Sequence, residues 1–198
     1  SDRPPKAIEG SPSGCDCVLL CEPTPRGALG YNSRSILYKA ADWLDHESFA
    51  GLVGIRSTVI PGTCDELQCE FPEMTWFAWP EFLQAGLARE MALDPPYVVV
   101  GSPRLFGTPE HTAAPEDHIG AFHELTNHWL LTHKNESHRG RFVYTTNTGA
   151  AFVKYATNAL LAAAVGVDNE LSDWATALGI AYNALVPPIC AIDKVLPS

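Results

Sequence analysis

Residues 148–180 read TGAAFVKYATNALLAAAVGVDNELSDWATALGI, a stretch rich in alanine and free of proline. Asn147 or Thr148 can cap its start and Gly179 falls where a helix stops, so one long helix is expected from Thr148 to Ile180. At about 1.5 Å per residue it runs roughly 45 Å, too long for an ordinary surface helix. Apolar Phe152, Ala156, Ala159, Ala163 and Val167 recur at helical spacing. Lys154 and Asn158 break that apolar character four residues apart, which stacks them on one face. Two converging donors suit stabilisation of an oxyanion, where loss of one donor costs about a hundred- to a thousandfold in rate. The plainer reading is a solvated stripe on an amphipathic helix.

Composition bounds what the rest can be. The 198 residues suit one domain or one and a half, enough to bury a core. A formal net charge of -10 argues against nucleic acid and against an anionic membrane surface. The opening SDRPPKAIEG has no apolar core of a secretory signal. The longest apolar run, Ala159 to Val167, is short of the roughly 20 residues of a membrane span. A soluble protein of the cytoplasm or another reducing compartment is expected, with no membrane partner. The six cysteines make no C-x-x-C zinc knuckle and read as buried free thiols. Asn135-Glu136-Ser137 has the form of a glycosylation sequon, read as chance.

Outward from the helix, residues 1–14 form a polar, irregular lead-in. Cys15 to Cys21 reads as a buried strand closed by the turn Glu22-Pro23-Thr24-Pro25. A helix is expected at Ser35 to Trp43, and strands at Leu52 to Ser57, Thr75 to Ala78, Tyr97 to Gly101 and Arg141 to Thr145. That rhythm makes residues 15–146 an α/β domain and 147–198 the long helix with a C-terminal tail. His118, His123, His128, His133 and His138 recur every five residues, about 140° beyond a full turn, so they spiral around a helix. His123-Glu124-Leu125-Thr126-Asn127-His128 has one residue too many for the zinc-protease H-E-x-x-H, and no metal is assigned. A surface helix around Ala121 to Leu131, with Phe122, Leu125 and Trp129 inward, is the expectation there.

AAFVKYATNALLAAAVGVDNEL resembles the central helix of the UDP-glucose/GDP-mannose dehydrogenase family, with its K-Y-A-A-N-A-F-L-A and later N-E. Lys154, Asn158 and Asn169–Glu170 fall on the matching positions. CDCVLLCEPTP resembles the family's strand ending in V-G-T-P, and RSTVIPGT its K-S-T-V-P-V-G-T. WPEFLQAG followed by DPPYVVVGSP resembles its N-P-E-F-L-R-E-G followed by P-D-R-I-V-I-G. The four motifs stand in the family's order and cover about residues 13 to 180.

The resemblance implies an α/β fold, a partial Rossmann-like sheet followed by the long central helix of the dimerisation domain. It implies chemistry that oxidises a primary alcohol to a carboxylate through a thiohemiacetal and thioester on a cysteine. By the same resemblance Lys154, Asn158, Glu81 and Thr58 are the remnant of the catalytic site. Thr24 and Thr58 lie toward the dinucleotide, and Phe82 and Leu83, with Lys154 and Asn158, toward the sugar. Departures accompany these matches. Pro23 replaces a glycine, Trp79 an asparagine and Ala85 a second glutamate, and Gly27 and Gly30 do not form the G-x-G-x-x-G turn. Cys190, in Pro-Pro-Ile-Cys-Ala-Ile-Asp-Lys, only echoes the nucleophile motif G-G-x-C-x-x-K-D. The expectation is a truncated homologue, inactive alone and acting as an oligomeric scaffold, with NAD present by resemblance only and no cofactor expected for the chain by itself. Its partner would be a second copy, through the central helix, or a companion protein covering the bare sheet edge at Cys15 to Cys21. The alternatives are an NAD-dependent nucleotide-sugar dehydrogenase active with a companion chain, and a residual sugar-nucleotide binder.

Overall fold

The computed structural model describes residues 11–25, 34–83, 86–93, 95, 97–102, 116–132 and 142–190. The chain forms two compact units, Ser1–Tyr155 and Ala156–Ser198. Chain order in the first is β1 (Cys17–Leu20), α1 (Ser35–His46), β2 (Leu52–Ile55), α2 (Thr63–Glu70), β3 (Thr75–Ala78), α3 (Ala88–Leu93), β4 (Val98–Ser102), α4 (Glu116–Thr132) and β5 (Phe142–Thr146). The helix α5 (Asn147–Ala177) starts in the first unit and continues into the second, followed by α6 (Tyr182–Cys190). The expected α/β class, with a partial Rossmann-like sheet and a long helix, is borne out.

β1, β2 and β3 form one parallel sheet in that order, and β4 and β5 pair in parallel as a second. Parallel neighbours need a crossover, which α1 and α2 supply on one face; α4 covers the other, so the strands read as apolar runs. On one face Val53, Ile55, Trp76 and Ala78 pack with Leu37, Ala41 and Leu44 of α1 and Leu67 of α2. The alternate residues Leu52 and Phe77, with Val98 and Val100, meet Phe122 of α4 on the other. The Phe77 and Phe122 rings lie edge to face at 5.1 Å. Phe122 and Leu125 turn inward as expected. The Trp129, His128, His133 and His138 side chains, the Asn135 sequon and the lead-in up to residue 10 lie outside the described residues. Among the described residues β1 pairs with β2 alone, and Leu19 is half exposed on it.

One polar side chain joins the sheet to the long helix. Asn147 is buried, its Oδ1 accepting from the Ala78 N–H at 2.9 Å and its Nδ2 donating to the Trp76 carbonyl at 3.0 Å. The amide thus stands in for a strand neighbour along β3 and satisfies two buried backbone groups. Gly101 of β4 lies against it: a Cβ there would meet the Asn147 Oδ1 at 2.6 Å and its Cα at 2.7 Å. The expected cap is therefore corrected. Asn147 spends its side chain on β3, Thr148 donates to Asp65, and Thr146 caps α5 by accepting from the Gly149 N–H at 3.0 Å.

The stop at Gly179 holds. Its φ of 70° permits a left-handed turn, with Ile180 N–H donating to Ala175 O and Gly179 N–H to Thr176 O, the two bonds of a Schellman ending. In the second unit the Tyr182 hydroxyl donates to Asp168, tying α6 to α5. The helix α6 was not expected, because Pro187 and Pro188 argue against one. By length and composition α5 reaches what a membrane span requires, one 18-residue window of it having mean hydropathy 1.4, although its longest uninterrupted apolar run is short.

The cysteine reading is also corrected. Cys64 is buried and its thiol pushed up by that burial, but Cys15, Cys21 and Cys69 are exposed and Cys17 is half-buried. Burial, aided by neighbouring Asp16, pushes the Cys17 thiol up to about 11. An apolar run does not reveal which of its residues face an open edge.

Asn147→Ala strands the Ala78 N–H and Trp76 carbonyl in the core. It should lower unfolding stability by about 2–4 kcal/mol. The measurement is a shifted urea midpoint at unchanged slope, with Thr146→Ala costing about 1 kcal/mol beside it.

Candidate functional site

The carboxyl ends of β1, β2 and β3 face the same way, and in open α/β sheets that is where ligands are held. Past the strands, the Arg56 N–H donates to Leu20 O at 2.9 Å, the Ser57 hydroxyl to Glu22 O at 2.6 Å and the Thr24 hydroxyl to Thr58 O at 2.8 Å. These bonds stitch the two strand-end loops into the floor of a cavity of about 340 Å³. Its wall carries Cys21, Glu22, Arg56, Glu81, Leu83 and Lys154.

Of the residues singled out by sequence, Thr24, Thr58, Glu81, Leu83 and Lys154 line this one cavity. Phe82 stands beside it, its ring 5.2 Å below the Lys154 Nζ and 4.5 Å from the Tyr97 ring. Asn158 belongs to the second unit and is exposed on α5. Cys190 ends α6 in the second unit, and its side chain lies outside the described residues.

Two residues were missed. Arg56 closes on Glu81, Nε at 2.6 Å and Nη2 at 2.5 Å from Oε1, while its guanidinium lies 5.4 Å from the Trp79 ring centre. Its signal was its place at the end of a parallel strand directly before Ser57-Thr58. Cys21 was read as a core thiol and opens into the cavity instead. Burial pushes that thiol up, Arg56 draws it back, and Glu81 and Glu22 raise it again, so it remains a protonated thiol at neutral pH.

Lys154 differs from both. Burial pulls its ammonium below the usual lysine range, and the charge of Glu81 only partly opposes this. Its contact with Phe82 is of the cation–π kind and leaves the three donors for other acceptors. The cavity therefore offers a half-buried cation beside a clamped carboxylate and an aromatic shelf, a set that suits a hydroxylated, oxygen-rich ligand.

Two further hollows lie at the amino end of β1. One, of about 450 Å³, is flanked by Cys15, Glu47 and His118, whose Nδ1 is 2.6 Å from the Thr75 hydroxyl. The other, of about 710 Å³, lies between Cys17 and Leu125. Among the described residues no group of three His, Cys, Asp or Glu side chains stands close enough to hold a metal ion.

No family model matches the chain. It is 26% identical over 171 residues to the UDP-glucose 6-dehydrogenase of Rickettsia conorii and 28% over 175 residues to that of Rickettsia typhi, in each case across 83% of this chain and 35% of the relative. The chain thus spans about a third of the length of the curated relatives it matches. In fold it is similar to the UDP-D-ManNAc dehydrogenase of Pyrococcus horikoshii (TM-score 0.72, 18% identity, 93% of this chain and 41% of that one). It is similar also to the GDP-mannose dehydrogenase of Pseudomonas aeruginosa (0.65, 22%, 91% and 40%). The resemblance to UDP-glucose/GDP-mannose dehydrogenases read from the four motifs is borne out.

Because the folded state holds the Lys154 proton more weakly than the unfolded chain, stability should rise with pH through the window just below the ordinary lysine range. Lys154→Met should abolish that rise without destabilising the protein at pH 7. Urea unfolding from pH 8 to 11 checks it, and Glu81→Gln should extend the window to lower pH.

Proposed function

We propose that the cavity at the ends of β1–β3 is a sugar-nucleotide site and that this chain contributes the sugar-facing half of a nucleotide-sugar dehydrogenase. One observation carries the reading: Thr24, Thr58, Glu81 and Lys154, brought by four separate segments, converge on one cavity. The Rickettsia relatives are named UDP-glucose 6-dehydrogenases, so a UDP-hexose is the ligand class to try. In this reading the Lys154 ammonium donates to a sugar oxygen and supports negative charge developing on it. Glu81 accepts from a hydroxyl, and Phe82 with Tyr97 forms the shelf under the ring.

Oxidation of the alcohol needs a hydride acceptor, which in such a dehydrogenase is NAD. The described residues do not fit a dinucleotide's phosphates. At the end of β1 the chain presents Pro23, which has no N–H, and the Thr24 hydroxyl is already donated to Thr58. The protonated Cys21 is not an activated nucleophile. In this reading both functions come from outside the described residues.

A second reading, a non-catalytic oligomeric scaffold, is favoured by α5. Leu160, Leu161, Val165, Val167 and Trp174, with Leu178 just past its end, are each more than half exposed. Leu160, Val167 and Trp174 recur every seven residues, with Ala164, Leu171 and Leu178 four further on, the seam spacing of packed long helices. A second copy of the same helix is the partner such a seam suits, with small Ala162 to Ala164 permitting close approach.

Titration calorimetry with UDP-glucose and UDP-glucuronate tests the first reading. Binding in the micromolar range, weakened about tenfold or more by Lys154→Ala, is the expected result; no heat at millimolar ligand overturns it. Light scattering tests the second. A dimer should become a monomer in Val167→Asp and persist in Lys154→Ala, and a wild-type monomer removes the scaffold reading. Flotation with lipid vesicles should leave the protein behind, and co-flotation would assign α5 to a bilayer instead.

A further inference from the structure

The Arg56 side chain meets Glu81 and Trp79 in a specific geometry. Both Nε and Nη2 fall on the same oxygen of Glu81, Oε1, at 2.6 and 2.5 Å. The other oxygen, Oε2, receives neither. The guanidinium is itself held from behind, 5.4 Å from the ring centre of Trp79. Trp79 is 4% exposed and packs with Phe77, so the clamp is anchored in the core. Strand register supplies the alignment: Ile55 pairs with Ala78, so the next residues, Arg56 and Trp79, stand side by side and Arg56 reaches two residues on to Glu81.

We propose that Arg56 is a positioning residue of this cavity: it fixes the Glu81 carboxylate on one oxygen and leaves Oε2 to accept a hydrogen bond from a ligand hydroxyl. A glutamate side chain that is about a third exposed otherwise loses rotamer freedom when a ligand arrives, and a clamp formed beforehand removes that cost. The planar fork matters. Arginine presents two donors in a fixed plane, where the lysine of the K-S-T-V pattern presents one point charge on a flexible stem. Orienting Glu81 also fixes a negative charge beside Lys154, opposing the loss of its proton that burial favours. The chemical class selected is a neutral, hydroxyl-bearing group at Oε2, with an oxygen acceptor toward Lys154.

The binding arm of the test rests on the sugar-nucleotide reading, and the structural arm does not. Crystal structures and UDP-glucose titrations are compared for the wild-type chain, Arg56→Lys, Arg56→Met, Glu81→Gln and the Arg56→Met/Glu81→Gln double variant, with melting temperatures as a control. In Arg56→Met the Glu81 carboxylate should leave its wild-type position and affinity should fall about tenfold. Arg56→Lys should recover part of both, and Arg56→Met should add nothing in the Glu81→Gln background. A Glu81 carboxylate unmoved in Arg56→Met overturns the proposal, as do losses that add in the double variant, which would mean that Arg56 meets the ligand itself. If the wild-type chain binds no UDP-glucose while Glu81 is displaced in Arg56→Met, the sugar reading fails and the positioning role stands. Should Arg56→Met not fold, Arg56→Gln, which keeps a polar head, reads the same displacement.

Discussion

The arrangement of the site depends on the side-chain amide of Asn147. Helix α5 must begin against the sheet, where β3 has backbone groups to satisfy and β4 passes within reach. A side-chain amide offers N–H and C=O in the geometry of a peptide unit, so Asn147 continues the β3 ladder on the side where, among the described residues, no strand pairs. Removing it costs more than two hydrogen bonds of ordinary worth, because the partners left behind are buried. Its neighbours fit around this constraint: Gly101 gives the amide room, and Thr146 takes over the cap that Asn147 relinquishes. Seven residues advance a helix by nearly two full turns, so Lys154 leaves α5 on almost the same face as Asn147. The bond that fixes the helix start thereby aims the lysine.

Much of this is legible in the sequence. β3 and the Gly179 stop follow from local chemistry, an apolar run in one case and a left-handed glycine in the other. The convergence of Thr24, Thr58, Glu81 and Lys154 was legible through the motif resemblance. A parallel sheet then explains it, since residues just past successive strands must emerge on one side. The illegible parts are those that depend on a partner remote in sequence. Asn147 reads as a helix cap until β3 is placed beside it. Arg56 has no assigned role within its strand until Glu81, 25 residues away, is placed beside it. Lys154 and Asn158 share a helix face by spacing, but Lys154 belongs to the first unit, where it lines the cavity, and Asn158 to the second. Pro187 and Pro188 hid α6 because propensity speaks for single residues, not for the element that forms around them.

The cavity contains two cations with different roles, and physical chemistry separates them. The Arg56 guanidinium directs Nε and Nη2 at Glu81. Burial pulls the Lys154 ammonium below the usual lysine range; among the described residues it forms no ion pair, and the Glu81 charge and the face of Phe82 support it in part. A lysine kept only for packing ordinarily extends its stem along apolar surface and returns its head to water. Lys154 instead leaves its head where burial penalises the charge, at the junction of three strand ends and beside a carboxylate already held by another group. Such a misfit is costly for a scaffold and useful for a site, because an arriving oxygen recovers the lost solvation. Arg56 meanwhile holds the Glu81 carboxylate in the same cavity, where its charge partly offsets the cost of burying Lys154.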